Sequence, residues 1–462
     1  MPISFPTLPA LSSSAPATLP ALRFKRAMLW GLFLTPMAVI VGSACAWFLW
    51  ALNTVTLARF AHPWLLFLLP LGGVLCALAY QRWGGRAAGG NNLILDEIRQ
   101  PEQGVPLVMA PLAFITTVVS QLLGASVGRE GSAVQMGGGV AGFFGRLFKL
   151  DPRQTTIMLY AGVAAGFGSV FGTPVAGALF ALEVPALGQA FYVALLPALY
   201  SAVVADWVCR AWEPVLHVSH TTYLMTFGVT HQAGNTQFQA SLPLLLKVVV
   251  AAVAFGLAGW LFSEGLRRFG SLMGRLCKRA WLRPAWGGLG TIALTLLLGT
   301  PNYLGLGVVS PQPGGASIVD FFTNSHYPWS WLLKIIFTVL ALGSGYKGGE
   351  VTPLFFIGSG LGNALAPLLD APTDLLASVG FMAVFAAASN TPLACTIMAV
   401  ELFGSGNLVY DAVGCVVAYL VSGHTGIYLA QRVDVPKFWH AAPNALRPGE
   451  RLRDYLNRSS QG

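Results

Sequence analysis

Three short glycine-rich segments hold the residues of this 462-residue chain that are best placed to do chemistry: Gly89-Gly90-Asn91-Asn92-Leu93-Ile94, Gly128-Arg129-Glu130-Gly131-Ser132 and Gly348-Gly349-Glu350-Val351-Thr352-Pro353. Each ends a loop and opens an apolar run that reads as a helix. The first helical turn has unpaired N–H groups and the positive end of the helix dipole. Glycine lets the backbone approach an ion closely. Asn91 or Asn92 can cap a helix, and Pro353 suits a first-turn position. Several helix tips aimed at one point bind an anion without a full positive charge. That favours movement over capture, because an ion pair to Lys or Arg can hold an anion too tightly to release it. Any one segment alone reads equally well as turn or packing glycines. Three together in an apolar chain favour the anion site.

The carboxylates sort by position. Glu130 follows apolar residues 105–127 and precedes another apolar stretch, and an ionisable residue at membrane depth is a functional candidate by default. The competing reading is a structural ion pair with Arg129. Burial and a neighbouring anion both disfavour a charged carboxyl. Glu130 can then block an anion path when charged and swing away when protonated, so anion and proton binding would favour each other, which is the linkage an antiporter needs. Glu350 lies inside an anion-binding type of turn, where a fixed negative charge repels an anion. It either pairs with a group such as Lys347 or is protonated during the cycle. Glu183 and Glu401 end short helices and read as structural, capping loops or pairing with basic residues. Tyr428, in the last apolar run (408–430), reads from its position alone as an interface anchor.

The elements that position these residues are membrane helices. The chain is 55% hydrophobic and 10% charged, against about 25% charged residues in a soluble domain, and its mean hydropathy is +0.64. The net charge of +9 does not imply nucleic acid. Arg23, Lys25, Arg26, Arg267, Arg268, Lys278, Arg279, Arg283 and the basic residues from Arg432 to Arg458 flank apolar runs, as in positive-inside loops. Both termini are therefore expected in the cytoplasm. The run 28–51 is too long for a signal-peptide core and is read as the first membrane helix. Many apolar runs fall short of the roughly 20 residues a spanning helix needs. They are punctuated by 53 glycines and 29 prolines, as half-helices that stop inside the membrane would be. The six dispersed cysteines read as core residues. His217, His220, His231 and distant His62 have no acidic or Cys partners at ligand spacing, so neither a metal nor a cofactor is expected. No nucleophile-and-base set of a membrane enzyme is apparent.

The chain also repeats itself. Thr173-Pro174-Val175-Ala176 with Glu183 matches Thr391-Pro392-Leu393-Ala394 with Glu401 at an offset of 218, and Gly128-Arg129-Glu130 matches Gly348-Gly349-Glu350 at 220. Expected units are a disordered cytoplasmic tail (1–22), membrane repeat 1 (23–212), a polar linker (213–242), membrane repeat 2 (243–434) and a short cytoplasmic tail (435–462). In transporters such repeats place the substrate site at their interface.

At these residues the chain resembles the CLC family of anion channels and proton-coupled antiporters over roughly residues 25–432. Gly128-Arg129-Glu130-Gly131-Ser132 is similar to the family's GREGP/GKEGP motif, with Ser132 in place of Pro, and Phe171-Gly172-Thr173-Pro174-Val175-Ala176-Gly177 is also family-like. The resemblance implies an all-α integral membrane fold of antiparallel (inverted) repeats with many tilted and broken helices. It also implies a homodimer with one pore per subunit, and Glu130 as the external gate. Two departures are informative. Asn91 stands at the serine position of the chloride-type GSGIP segment, and Gly349-Glu350-Val351-Thr352-Pro353 replaces GxFxP. Both are similar to the bacterial fluoride-exporting clade, CLC-F. That likeness implies an anion path through Asn91, Gly131, Val351, Thr352 and Tyr428, with Glu130 and Glu350 handling protons. The inner proton glutamate of chloride exchangers aligns with Val184, so their proton route is not expected here. The tail after Val435 is too short for the nucleotide-binding CBS pair of many eukaryotic members.

The expectation is a fluoride/proton antiporter of a bacterial inner membrane, with fluoride, protons and lipid as its partners. A chloride-type CLC exchanger and a passive anion channel are the alternatives.

Overall fold

The computed structural model describes residues 20–218, 220, 241–323, 326–437 and 449–459. Helices dominate, and they differ widely in length. The first half holds α1 (Pro20–Ala61), α2 (Leu69–Ala79), α3 (Gly90–Arg99), α4 (Met109–Leu122), α5 (Glu130–Leu147), α6 (Pro152–Phe171), α7 (Pro174–Glu183) and α8 (Leu195–Leu216). The second holds α9 (Leu242–Leu276), α10 (Arg283–Leu298), α11 (Ser330–Ser344), α12 (Val351–Leu369), α13 (Thr373–Ser389), α14 (Pro392–Phe403) and α15 (Leu408–Val421), with α16 (Leu452–Ser459) after them. Among the described residues, five helical stretches are long and apolar enough to cross a membrane: Met28–Ala61, Pro63–Arg99, Tyr192–Leu216, Leu242–Leu276 and Val351–Leu369. Helices α7 and α14, at 10 and 12 residues, are half-spans.

Local chemistry sets the boundaries. Asp151 and Gln154 form a reciprocal capping box at the start of α6, followed by Pro152 at the first helical position. Together they satisfy two N–H groups the helix cannot use itself. Gly172 ends α6 in the left-handed conformation, and Thr173-Pro174 starts α7 at once. The corresponding corner of the second repeat is Asn390, also left-handed, ahead of Thr391-Pro392.

Each repeat is built around one close crossing of two helices. A Cβ on Gly137 of α5 would lie 2.0 Å from the carbonyl oxygen of Gly162 in α6. A Cβ on Gly358 of α12 would lie 2.0 Å from that of Gly380 in α13. Only glycine permits backbones this close, and small residues are how helices pack tightly in lipid. Phe167 and Phe180 stack at 4.1 Å, Phe355 and Phe381 at 3.9 Å, and Phe385 joins both pairs. This single aromatic core lies behind the helix tips and holds the two repeats together.

The repeats also cap each other. Glu183, at the end of α7, accepts from the Leu393 and Ala394 N–H groups at the start of α14 (3.2 and 2.9 Å). Glu401, near the end of α14, accepts from Val175 and Ala176 at the start of α7 (3.0 and 2.8 Å). Both carboxylates thus do the structural work their positions suggest, each across the repeat interface. Replacing Glu183 with Ala strands two N–H groups of α14, and lost caps cost about 1–2 kcal/mol. The expected result is a lower melting temperature by tryptophan fluorescence in detergent, with Glu183→Gln losing less.

Several sequence boundaries move. The run 285–305 is helical only to Leu298, where Gly299 turns left-handed. The run 408–430 is helical only to Val421, so Tyr428 lies in an irregular segment rather than a membrane helix. The chain from 422 must bend back toward the centre, and Ile427 N–H bonds to the Ala388 carbonyl at 2.9 Å. Of the polar linker, 213–216 continues α8, while residues 219 and 221–240 lie outside the described residues, as do 1–19 of the expected N-terminal tail. His231 lies outside them too. The C-terminal part departs from an all-α pattern. Strands β1 (Ala186–Leu187), β2 (Arg432–Val433) and β3 (Glu450–Arg451) form a small sheet, β1 parallel and β3 antiparallel to β2. Leu187, Val433 and Leu452 form a separate buried cluster beneath it. Arg99 with Asp434 (2.6 Å) and Arg451 with Asp96 (3.0 Å) fasten this end to α3.

Candidate functional site

Helices α5 and α12 begin beside each other because their leading loops pair. Gly128 and Gly349 form a two-residue antiparallel bridge, with N–H···O distances of 2.5 and 2.8 Å. Glycine is required on both strands of this contact: a Cβ at Gly349 would lie 2.7 Å from the Gly131 nitrogen. The bridge fixes Glu130, two residues past Gly128, and Glu350, the residue after Gly349, at the starts of α5 and α12.

Glu130 is 0% exposed. Its Oε2 accepts from the Thr352 N–H (3.1 Å) and the Arg129 N–H (3.0 Å), and its Oε1 accepts from the Thr352 hydroxyl (2.5 Å). The Arg129 Nε lies 3.5 Å from Oε1. The carboxylate therefore occupies the seat an anion would take at a helix N-terminus, with the first-turn N–H and hydroxyl of Thr352 as its donors. Arg129 is a partner to this arrangement and not an alternative to it.

Glu350 is intermediate in overall exposure, but its Oε2 is buried without a hydrogen-bond partner. The pairing with Lys347 does not form: the Lys347 ammonium sits 4.3 Å above the Tyr80 ring instead. A Cβ on Gly131 would lie 3.0 Å from Asn91 Nδ2 and 3.4 Å from Glu350 Oε2. Asn91, Gly131 and Glu350 thus converge, one from each of three helix tips. Asn91 Oδ1 is also buried and unpaired. A cavity of about 310 Å³ opens at this point, lined by Asn91, Ser132, Gln135, Lys347, Glu350 and Tyr428 among others. Val351 is fully buried beside it at the first position of α12.

Tyr428 is 4% exposed, packs edge-on against Phe180 and faces the cavity. It is not an interface anchor. The residue that brings it there is Asn92, whose Oδ1 accepts from the Ala430 N–H at 2.9 Å. Neither Asn91 nor Asn92 caps α3; Gly89 holds the cap position and both asparagines lie within the first turn. Their side chains are freed for the site and for the Tyr428 segment. Gln121 in α4, whose Nε2 donates to the Val127 carbonyl at 2.5 Å, holds the loop before Glu130. Sequence reasoning passed over Gln121, although a lone amide inside an apolar run is a signal that something polar needs it.

Arg129, next to Glu130 in the chain, borders a smaller, separate cavity of about 130 Å³, lined also by Arg59 and His220. His220 bonds to Glu213 (2.7 Å) and to the Ser169 carbonyl (2.8 Å). Five of the cysteines, Cys45, Cys76, Cys209, Cys395 and Cys415, are buried core residues. The arrangement as a whole is a buried carboxylate seated as an anion, its neighbours Ser132 and Arg129 each bordering a different cavity, with a second carboxylate, an amide and a phenol facing the larger one.

The family model described as voltage gated chloride channel matches residues 72–423. The chain is 47% identical over 417 residues to the "Chloride/fluoride channel protein" of Pseudomonas syringae pv. tomato, covering 89% of this chain and 88% of that one. It is 28% identical over 407 residues to the "Voltage-gated ClC-type chloride channel ClcB" of Salmonella typhimurium, covering 81% and 89%. Among solved structures, one described as a CLC-type fluoride/proton antiporter superposes with a TM-score of 0.81 at 33% identity, covering 89% of this chain and 99% of that one. A slow cyanobacterial chloride/proton antiporter shares the fold at a TM-score of 0.70 and 18% identity, covering 93% and 97%. Family model, relatives and architecture agree, and the chain belongs to the CLC family of voltage-gated chloride channels and their antiporter relatives.

Proposed function

We propose that this protein exports fluoride from the bacterial cytoplasm across the inner membrane in exchange for protons. The observation that carries the reading is Glu130, a buried carboxylate held by Thr352 in an anion's place, with Ser132 and Arg129 on either side of it in the chain bordering two separate cavities. When charged it closes the path; when protonated it leaves the seat to the anion. The 310 Å³ cavity is then the cytoplasmic entrance, with both termini on that side, and each subunit of a homodimer has its own path.

Fluoride is small and strongly hydrated, so its dehydration must be offset by close donors. Asn91 Nδ2, the Thr352 N–H and hydroxyl and the Tyr428 phenol are such donors at or beside the cavity. A protonated Glu130 or Glu350 adds O–H donors. The substitutions that set the site apart from chloride-type segments, Asn91 and Glu350-Val351-Thr352, lie at this cavity or just behind it. The 47% identity to a protein named for both chloride and fluoride and the 33% identity to a fluoride/proton antiporter structure support the same anion.

The test is a reconstituted flux assay in liposomes that follows fluoride, chloride and internal pH together. Fluoride efflux should drive protons inward against a proton gradient, with chloride moving far more slowly. Equal chloride flux would assign a chloride-type exchanger, and fluoride flux without uphill proton movement a channel. In the same assay Asn91→Ser should weaken discrimination against chloride about tenfold, the value of one charge-assisted hydrogen bond. Unchanged selectivity would remove Asn91 from the argument.

A further inference from the structure

Two cations, Arg59 and Lys334, lie buried away from the Tyr428 cavity, with no acid among the described residues to answer them. Arg59, in the last turn of α1, is 8% exposed, and its Nη1 has no hydrogen-bond acceptor. Lys334, in α11, is 0% exposed, and its ammonium donates to the carbonyls of Tyr303 (3.2 Å) and Gly305 (2.7 Å). No carboxylate among the described residues forms an ion pair with either. The two side chains meet at the loop 303–307. A Cβ on Gly305 would lie 2.6 Å from Arg59 Nη1, and one on Gly307 3.3 Å from the Lys334 ammonium. Both glycines have left-handed φ, at 60° and 76°, so the loop can fold back between the cations.

Burying a charge without a partner is costly, and placing two of one sign beside each other adds repulsion. Backbone carbonyls answer Lys334; among the described residues no hydrogen-bond acceptor answers Arg59 Nη1. Yet Arg59 borders open space, the cavity of about 130 Å³ shared with Asn53, Thr56, Arg129, His220 and Gly307. Arg129 Nε is likewise buried there without a hydrogen bond. The nearby acids are occupied: Glu130 by Thr352 and Glu213 by His220. Since a water takes about 30 Å³ of liquid, the space of about 130 Å³ holds a small inorganic ion with a few waters.

We propose that this cavity is a second anion site, in which Arg59 and Arg129 hold a partly hydrated small anion next to the Glu130 seat, with Lys334 strengthening the field from behind. The site rests on the transport reading above and adds a waiting position on the path opposite the cytoplasmic entrance. An ion held there meets Glu130 at its Arg129 side. The concentrated negative charge favours protonation of the gate, so arrival of the anion and release of the seat are linked. The ion keeps part of its water, so the two arginines attract it without the tight grip of a fully dehydrated ion pair.

The test uses two readouts. Crystals of the full-length protein soaked in bromide should show an anomalous peak within contact distance of Arg59 Nη1, and Arg59→Met should lose it. In liposomes Arg59→Met should raise the KM for fluoride about fivefold, with a smaller rise at high salt, as expected for one charge acting across a partly wet site. Asn53→Asp, at an exposed position on the rim, should raise KM in the same direction and keeps the test open if Arg59→Met does not fold. No bromide peak in the wild type overturns the proposal. A peak with unchanged KM in both variants marks an adventitious ion only, and overturns it as well. Wild-type protein that moves no fluoride would defeat the transport reading instead, and the bromide peak would still decide whether the cavity binds anions.

Discussion

Glu130→Gln is expected to abolish uphill proton movement while leaving passive anion flux. The wild-type carboxylate is held by three donors, the Thr352 N–H and hydroxyl and the Arg129 N–H. Hydrogen bonds to a charged group contribute about 1.5–3 kcal/mol each, so the charged form keeps the seat against a competing anion. Protonation weakens all three at once and gives the anion its chance. A glutamine has nearly the same shape but no charge, and cannot take up or give back a proton. Its amide oxygen accepts more weakly from Thr352, and its amide nitrogen cannot accept at all. The gate is therefore permanently loosened and permanently uncoupled. In liposomes loaded with fluoride, the variant should dissipate the fluoride gradient, and internal pH should follow the membrane voltage alone. Proton pumping at the wild-type rate would show that the coupling carboxyl lies elsewhere. Thr352→Val offers a second view of the same seat. It removes the hydroxyl donor but keeps the N–H, so it should loosen the gate while preserving coupling.

Much of this site was legible before any coordinates, and the reason is chemical. Glycine-rich helix starts, a carboxylate at membrane depth and a repeated Thr-Pro…Glu spacing are local signals, each readable within about ten residues. They pointed to the three glycine-rich helix starts and to Glu130 and Glu350, while the family likeness singled out Asn91, Gly131, Val351 and Thr352, and the structure brings these together at the paired starts of α5 and α12 and at the start of α3. What was not legible depends on partners distant in the chain. Tyr428 sits in a run that looks like the last membrane helix, and only the Ala388 carbonyl and Asn92, which bond to its segment from elsewhere in the chain, show that the helix stops at Val421 and the chain returns to the centre. Lys347 was a natural partner for Glu350 by spacing, but its ammonium finds the Tyr80 ring. The reciprocal caps made by Glu183 and Glu401 were readable as structural, yet their acceptor role crosses the repeat interface, which no single repeat reveals. Arg59 and Lys334 gave no signal at all. One ends an apolar run and the other lies within one, and only burial without an acid sets them apart.

Glu350→Gln should flatten the pH dependence of fluoride binding and strengthen binding at alkaline pH. In the wild type, two carboxyls, Glu130 and Glu350, follow the bridged glycines Gly128 and Gly349 by two residues and by one, and Glu350 Oε2 has no donor to neutralise it. A fluoride beside Asn91 and Gly131 feels Glu350 at close range. With an effective dielectric constant near 20, a unit charge 5 Å away costs about 3 kcal/mol before screening. Protonating Glu350 removes that repulsion and supplies an O–H donor, so anion and proton must bind together. The sign follows: wild-type affinity rises as pH falls and weakens as pH rises. Glutamine fixes the neutral state and keeps a donor in its amide. The variant should therefore bind fluoride about tenfold more tightly than wild type near pH 8, with little difference at low pH, by calorimetric titration across this range. Tighter binding should also slow release, so turnover falls even though the path stays open. The proton count per fluoride should drop, because one of the two groups able to carry a proton past Val184 has lost the ability. If the variant kept the wild-type pH profile, Glu350 would be a fixed wall of the cavity, and the proton carried by Glu130 would need another route to the cytoplasm. The pattern expected here is asymmetric: loss of Glu130 breaks the gate and leaves flux, whereas loss of Glu350 leaves the gate and traps the ion. Two carboxyls on one short bridge are thus separable by experiment, because one sits in the anion's seat and the other beside it.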